Sequence, residues 1–204
     1  LLDIHDIYDE IAISTAIADL KKHRSTFNFC LGCQQSMAAR TVIYCLEHNL
    51  TNVFICSSLG GEYAEMSLPV TREKDSAFYK QFGIRYDAPL LRLNMAKAEE
   101  RALLKAHRIS PGVGFRRSVQ GYQPMCVIGL SHVLDVLFDV RPKYPSKQVG
   151  EFLDEKYPIM EVLIKAYFTQ RGMDFEALLE RNKAQYDKET QALDTWEEEN
   201  QAQF

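Results

Sequence analysis

The hydrophobic positions of the first 57 residues alternate between helical and strand-like spacing. Isoleucines, a leucine and a tyrosine recur at helical spacing over residues 3–24, which predicts a helix that Ser14 and Thr15 can interrupt once. The aromatic run at 27–30 favours a buried strand, and residues 51–57 favour a second one. A helical stretch lies between them, and this order is typical of a parallel strand, helix, strand unit. We therefore predict an α/β domain.

The remaining pattern adds one strand and several helices. We predict a strand at 89–93 and a glycine-containing loop at 113–124. Further helices are predicted over residues 76–82, 97–107, 127–140, 159–168 and 174–199. The predicted architecture is a three-layer, parallel-sheet, Rossmann-like domain over residues 1–140, followed by a helical C-terminal extension over residues 141–204.

The last predicted helix carries a narrow apolar stripe. Leu179, Tyr186 and Leu193 are spaced seven residues apart, and three consecutive glutamates follow at 197–199. A stripe this narrow favours a helix that lies on another surface. The helix is therefore expected to dock a protein partner or a second copy of the chain.

Charge and composition exclude several broad classes of protein. The chain has 204 residues, with 24 basic and 28 acidic side chains and a net charge of −4. Such a balance provides no overall field for nucleic acid or an anionic membrane, so nucleic acid is not indicated as a partner. No apolar run approaches the roughly 20 residues that span a bilayer, and the first residues lack a secretory pattern. These features predict a cytoplasmic protein.

Five cysteines occur in a chain large enough to fold without disulfides. Their odd number favours reduced thiols. Cys30 and Cys33, with Cys56 and Cys126 beyond, also permit a cysteine-ligated metal or iron–sulfur site. The plainer interpretation is that most of these cysteines are small buried hydrophobes.

The turn at 31–36 is the best candidate for a ligand site, because it lies between a predicted strand and a predicted helix. Backbone amides and a helix dipole at such a place can hold an anion such as phosphate. The residues involved are Gly32, Cys33, Gln34, Gln35 and Ser36. A glycine turn before the first crossover helix is also ordinary in α/β domains, and this alternative stays open.

At this turn the chain resembles the PP-loop ATP pyrophosphatase superfamily, whose loop reads Ser-Gly-Gly-x-Asp-Ser. Gly32 and Ser36 match this loop, whereas Leu31, Cys33 and Gln35 depart from it. The resemblance implies binding of ATP with magnesium and adenylation of a nucleobase-like or carboxylate substrate. Gln35 stands in place of the acidic residue, which implies that this chemistry is weakened or abandoned.

The likeness is greatest to the 7-deazaguanine (queuosine-precursor) synthase branch of that superfamily. Over residues 27–132 the chain repeats parts of its pattern, at Gly60, Glu65, Pro89–Leu90, Lys97–Glu99 and Pro124–Cys126. The branch binds zinc through cysteines, and Cys126 and His132 occupy two of those positions here. The resemblance therefore implies a zinc site that has lost one ligand and replaced another.

Two further groups could contact the phosphates of a nucleotide. Gly60 and Gly61 follow the second predicted strand, and Arg116 and Arg117 lie in the glycine-containing loop, where a guanidinium group can bind phosphate. The sequence thus leaves three hypotheses open. These are a degenerate nucleotide-binding domain, a non-catalytic pseudoenzyme subunit that docks a partner, and a cysteine-ligated metal protein.

Overall fold

A computed structural model describes residues 3–23, 27–55, 68–89, 97–109 and 146–201. Its elements, in chain order, are α1 (His5–Tyr8), a π-helical turn (Asp9–Ile13), α2 (Ala16–His23), α3 (Phe27–His48), β1 (Asn52–Phe54), α4 (Pro69–Gln81), β2 (Arg85–Asp87), α5 (Lys97–Ala106), α6 (Ser146–Gln170) and α7 (Phe175–Gln201). The described residues are therefore mostly helical. The prediction of a three-layer, Rossmann-like α/β domain is wrong.

Helix α3 replaces the predicted strand, turn and crossover helix with one continuous helix. Its buried residues recur at intervals of three or four positions, as on one face of a helix: Leu31, Gln34, Gln35, Ala38, Ala39, Val42, Ile43 and Leu46. Gly32 lies within this helix, where an added Cβ would be only 2.7 Å from the Cβ of Ala12. The glycine thus allows α3 to pack closely against the π-helical turn, and it forms no loop.

The described part of the chain contains one small sheet, in which β1 and β2 pair in parallel. The register places Val53 opposite Tyr86, and α4 connects the two strands. The strand predicted within residues 51–57 is therefore confirmed. The second strand of the sheet lies at residues 85–87, where none was predicted. The strand predicted at 89–93 lies outside the described residues except for Pro89.

The main hydrophobic core lies between α3, α4, α6 and α7. Its buried aromatic and aliphatic side chains include Ile43, Phe78, Met160, Ile164 and Phe168. Helices on both sides of residue 140 share this core. The predicted division of the chain into a domain at 1–140 and an extension at 141–204 stays a prediction.

Helix α6 runs without interruption through Pro158, where we expected a helix to begin. Phe152 and Leu153 before the proline and Met160 after it are all fully buried. Burial of this continuous face compensates for the backbone hydrogen bond that proline cannot donate.

Other helical predictions are confirmed. Helix α5 matches the prediction for residues 97–107, α7 matches that for 174–199, and the helix predicted at 76–82 is the second half of α4. The N-terminal segment is interrupted at Ser14 and Thr15, whose hydroxyl groups donate to the carbonyl oxygens of Glu10 and Ile11. The predicted helix at 127–140 and the predicted loop at 113–124 lie outside the described residues.

Gly83 and Gly172 offer a test of how α7 packs against the end of α4. Both have φ of +67°, but an added Cβ at Gly83 would lie 2.8 Å from the Cα of Lys183, whereas Gly172 has open space. We expect Gly172→Ala to cost about 1 kcal/mol of unfolding free energy because of backbone strain alone. Gly83→Ala should cost about 1–3 kcal/mol more, because the backbone of α7 must move. Urea denaturation of both variants measures the difference, and equal losses would contradict this packing.

Candidate functional site

The inner face of α3 contributes two buried amides to a polar cluster. Gln34 and Gln35 each donate through Nε2 to a different carboxylate oxygen of Asp75, at 3.2 Å in both cases. Asp75 comes from α4 and is 2% exposed, and the Tyr157 hydroxyl from α6 donates to it at 2.9 Å. Three helices thus converge on a single buried carboxyl group, which we call the Asp75 cluster.

Burial raises the pKa of Asp75 from 3.8 to about 6, because desolvation disfavours the charged carboxylate. Hydrogen bonds from Tyr157 and Gln35 act in the opposite direction. The Tyr86 hydroxyl also lies near enough to lower this pKa, without meeting the geometry of a full hydrogen bond. Asp75 therefore exchanges a proton close to neutral pH, which is the chemical capacity of this cluster.

The cluster also contains hydrogen-bond acceptors for the protonated form of Asp75. The Oε1 atoms of Gln34 and Gln35 are buried and have no hydrogen-bond partner. Rotation of one amide by half a turn would present its oxygen to a protonated Asp75. The surrounding glutamines can thus satisfy both protonation states of the carboxyl group.

The phenols around Asp75 remain neutral donors over the physiological pH range. Burial is the largest cause that raises the pKa of Tyr79, Tyr86 and Tyr157, and the negative charge of Asp75 raises each one further. Neutral phenols can donate to the carboxylate but do not compensate its charge.

A second buried polar group joins α2 to α6. Lys156, only 2% exposed, donates through Nζ to Asp19 at 2.7 Å and to the Thr15 hydroxyl at 2.6 Å. Glu155, next to Lys156 in α6, pairs with Lys22 at 2.6 Å and lies 3.7 Å from His23. A buried ion pair of this kind fixes how the two helices meet.

Asp19, His23 and Glu155 also have the chemistry of metal ligands, since their ligand atoms lie within 4.8 Å of one another. Two ammonium groups, from Lys156 and Lys22, already balance the two carboxylates. A divalent cation would have to displace at least one of them, at the cost of leaving an ammonium group unpaired. We therefore interpret this group as an ion-pair network.

The predicted phosphate turn is not formed. Residues 31–36 lie inside α3, so their amides take part in helical hydrogen bonding and do not converge on an anion. Gly32 packs on Ala12, Cys33 is half-buried, and the Ser36 hydroxyl donates to the Gly32 carbonyl at 2.8 Å. The predicted sites at Gly60, Gly61, Arg116, Arg117, Cys126 and His132 lie outside the described residues. ATP with magnesium, and zinc, stay predictions.

The thiol of Cys45 is buried, and desolvation raises its pKa to about 11. A thiol with so high a pKa is almost wholly protonated at neutral pH and is a poor nucleophile or metal ligand. This finding agrees with the interpretation of Cys45 as a small hydrophobic residue.

Helix α7 has two parts with different surroundings. Its first part is anchored: Asn182 is fully buried and donates to the carbonyl oxygens of Phe82 and Gly83, and Arg85 donates to the Thr190 hydroxyl at 3.2 Å. From residue 191 to residue 195 every side chain is exposed, and the helix continues to Gln201. We call residues 191–201 the distal segment.

Comparisons with protein-family models, with curated proteins and with solved structures each find no match for this chain. The resemblance to the PP-loop superfamily therefore stays a prediction from short motifs. None of the helices in the described part of the chain combines the length and the apolarity that crossing a membrane requires.

Proposed function

We propose that this protein is an interaction subunit and that the distal segment of α7 binds its partner. The observation that carries the proposal is the exposure of every side chain from 191 to 195, on a helix whose first part packs firmly on the core. Most helical stability in proteins comes from the packing of an apolar face, so a second surface would stabilise the distal segment.

The stripe predicted from the sequence is divided between two roles. Leu179 packs against the protein's own core and Tyr186 is half-buried, whereas Leu193 is 40% exposed. Among the residues whose exposure is described, Leu193 is therefore the large apolar side chain that the distal segment offers to a partner.

The charge of this region favours a basic partner over a second copy of the chain. Residues 187–201 contain six acidic side chains and one lysine. Two such helices would repel each other, whereas a groove with an apolar floor and a lysine- or arginine-rich rim would complement both Leu193 and the acidic residues.

Truncation after Thr190 tests the proposal without disturbing the fold. We expect the shortened chain to keep its unfolding free energy within about 0.5 kcal/mol, because the removed residues make no described contact with the core. It should also lose the partner that the full chain retains in affinity capture from its own cells, followed by quantitative mass spectrometry. Rising salt should release that partner from the full chain.

The matched control compares two exposed leucines. Leu193→Ala should weaken retention of the same partner, whereas Leu103→Ala on α5, where the leucine is 47% exposed, should leave it unchanged. Retention of the same proteins by the full and truncated chains would overturn the proposal. A removal that begins at residue 174 is unsuitable, because it would also delete Asn182 and the core contacts of Leu179.

A further inference from the structure

A cleft of about 550 Å³ opens between the N-terminal segment and helices α3 and α6. Small-molecule sites commonly measure roughly 300–1,000 Å³, so the cleft has the size of a ligand site. One part of its lining comes from the π-helical turn, a conformation that occurs frequently at functional sites. Nothing in the proposed role of α7 uses this cleft.

Two arginines and a tyrosine form one part of the lining. The guanidinium carbon of Arg40 lies 5.0 Å from the centre of the Tyr167 ring, and that of Arg171 lies 3.6 Å from it. Among the described residues, neither arginine forms an ion pair with a carboxylate. The Nε and Nη1 atoms of Arg40 are buried and have no hydrogen-bond partner. Two unsatisfied donor atoms on a half-buried arginine call for an oxygen acceptor, and none of the described residues supplies one.

The opposite charge comes from the N-terminal segment. Its carboxylates in the cleft belong to Asp3, Asp6, Asp9 and Glu10, and all four residues are exposed. Asp9 lies 3.4 Å from the His5 imidazole, which is itself exposed. The lining therefore holds more carboxylates than guanidinium groups, so it favours a ligand with net positive charge that also carries one anionic group for Arg40.

We propose that this cleft binds a small molecule of the dibasic amino acid class. Its carboxylate accepts hydrogen bonds from the guanidinium of Arg40, and its two cationic groups face the N-terminal carboxylates. A planar carboxylate suits the fork of an arginine, and the two ammonium or guanidinium groups complement the acidic residues. The aliphatic stem of such a ligand matches the apolar part of the lining, to which Ile7 and Leu163 belong.

Three related compounds test this proposal on the full, unaltered chain by isothermal titration calorimetry. L-arginine has both kinds of group, agmatine lacks the carboxylate, and L-citrulline lacks the side-chain charge. We expect L-arginine to bind, and the other two to bind about tenfold more weakly or less, since each loses a charged hydrogen bond. Absence of L-arginine binding at millimolar concentration, or equal binding of agmatine, would overturn the proposal.

Variants then locate the binding. Arg40→Met should abolish the preference for L-arginine over agmatine, and Asp6→Asn should reduce the preference for L-arginine over L-citrulline. Arg108→Met, at an exposed arginine after α5, should leave both preferences intact. Unchanged preferences in Arg40→Met would place the ligand elsewhere. If Arg40→Met does not fold, which circular dichroism would show, the comparison of the three compounds on the unaltered chain still decides.

Discussion

Replacing Asp75 by asparagine should make the protein progressively more stable than the unaltered chain as the pH rises from 4 to 7. The unfolded carboxyl group loses its proton near pH 3.8, whereas the folded one keeps it until about pH 6. Between these values the folded state binds more protons, so its stability falls as the pH rises. The shift corresponds to about 3 kcal/mol, nearly all of it lost by pH 7 and almost none of it lost below about pH 3. Asparagine does not titrate, so the variant escapes this loss.

Urea denaturation at a series of pH values between 4 and 8 measures the gap in unfolding free energy between the two proteins. The glutamine amides that now face the carboxylate can rotate to satisfy the asparagine, as they can for the protonated acid. Asp194→Asn, at an exposed position of α7, is the matched control and should run parallel to the unaltered chain. A gap for Asp75→Asn that stays constant across this range would show that Asp75 titrates at its ordinary pH.

The second large effect is expected at the buried ion pair between α2 and α6. Asp19→Leu leaves the ammonium group of Lys156 in the interior without a carboxylate, and should cost about 3–5 kcal/mol of unfolding free energy. Combining it with Lys156→Met should recover most of that loss, because well-packed apolar residues can replace a buried pair at little cost. Denaturation of the single and double variants measures the coupling between the two residues.

The exposed pair between Lys165 and Glu176, at the same 2.7 Å, provides the control. Glu176→Leu should change the stability little, because water already screens that pair. If Asp19→Leu lowered the unfolding free energy as little as Glu176→Leu, the Lys156 ammonium would have to reach solvent or another acceptor. The burial described for Lys156 would then be wrong.

The sequence predicted most of the helices outside α3 for a clear physical reason. Helix α5 and helix α7 are both rich in strong helix formers, so local propensity and tertiary structure agree there. The strand and turn predicted at residues 27–36 are wrong, although an aromatic run followed by glycine and cysteine is typical of those structures. The better signal in the sequence is the helical spacing of the apolar residues from Ala38 to Leu46, with Leu31 two turns before Ala38 on the same face.

The polar clusters were harder to predict than the helices. Lys156 lies between Phe152 and Met160 at helical spacing, and a charge inside an apolar stripe signals a buried partner. Asp19 is 137 positions away along the chain, and no local pattern in one sequence identifies it. The sequence predicts that the backbone of Gln34 and Gln35 contacts phosphate, whereas in the structure their side chains donate hydrogen bonds to Asp75.

The anchoring of α7 has a consequence for when the protein can fold during its synthesis. The Thr51 hydroxyl at the start of β1 donates to Glu189, 138 residues later, and Arg85 in β2 donates to Thr190, 105 residues later. Asn182 likewise donates to the carbonyl oxygen of Phe82, at the end of α4. A ribosome-bound chain therefore lacks these contacts to β1, β2 and the end of α4 until α7 has emerged from the exit tunnel. The core is accordingly expected to stay partly formed until that point of synthesis.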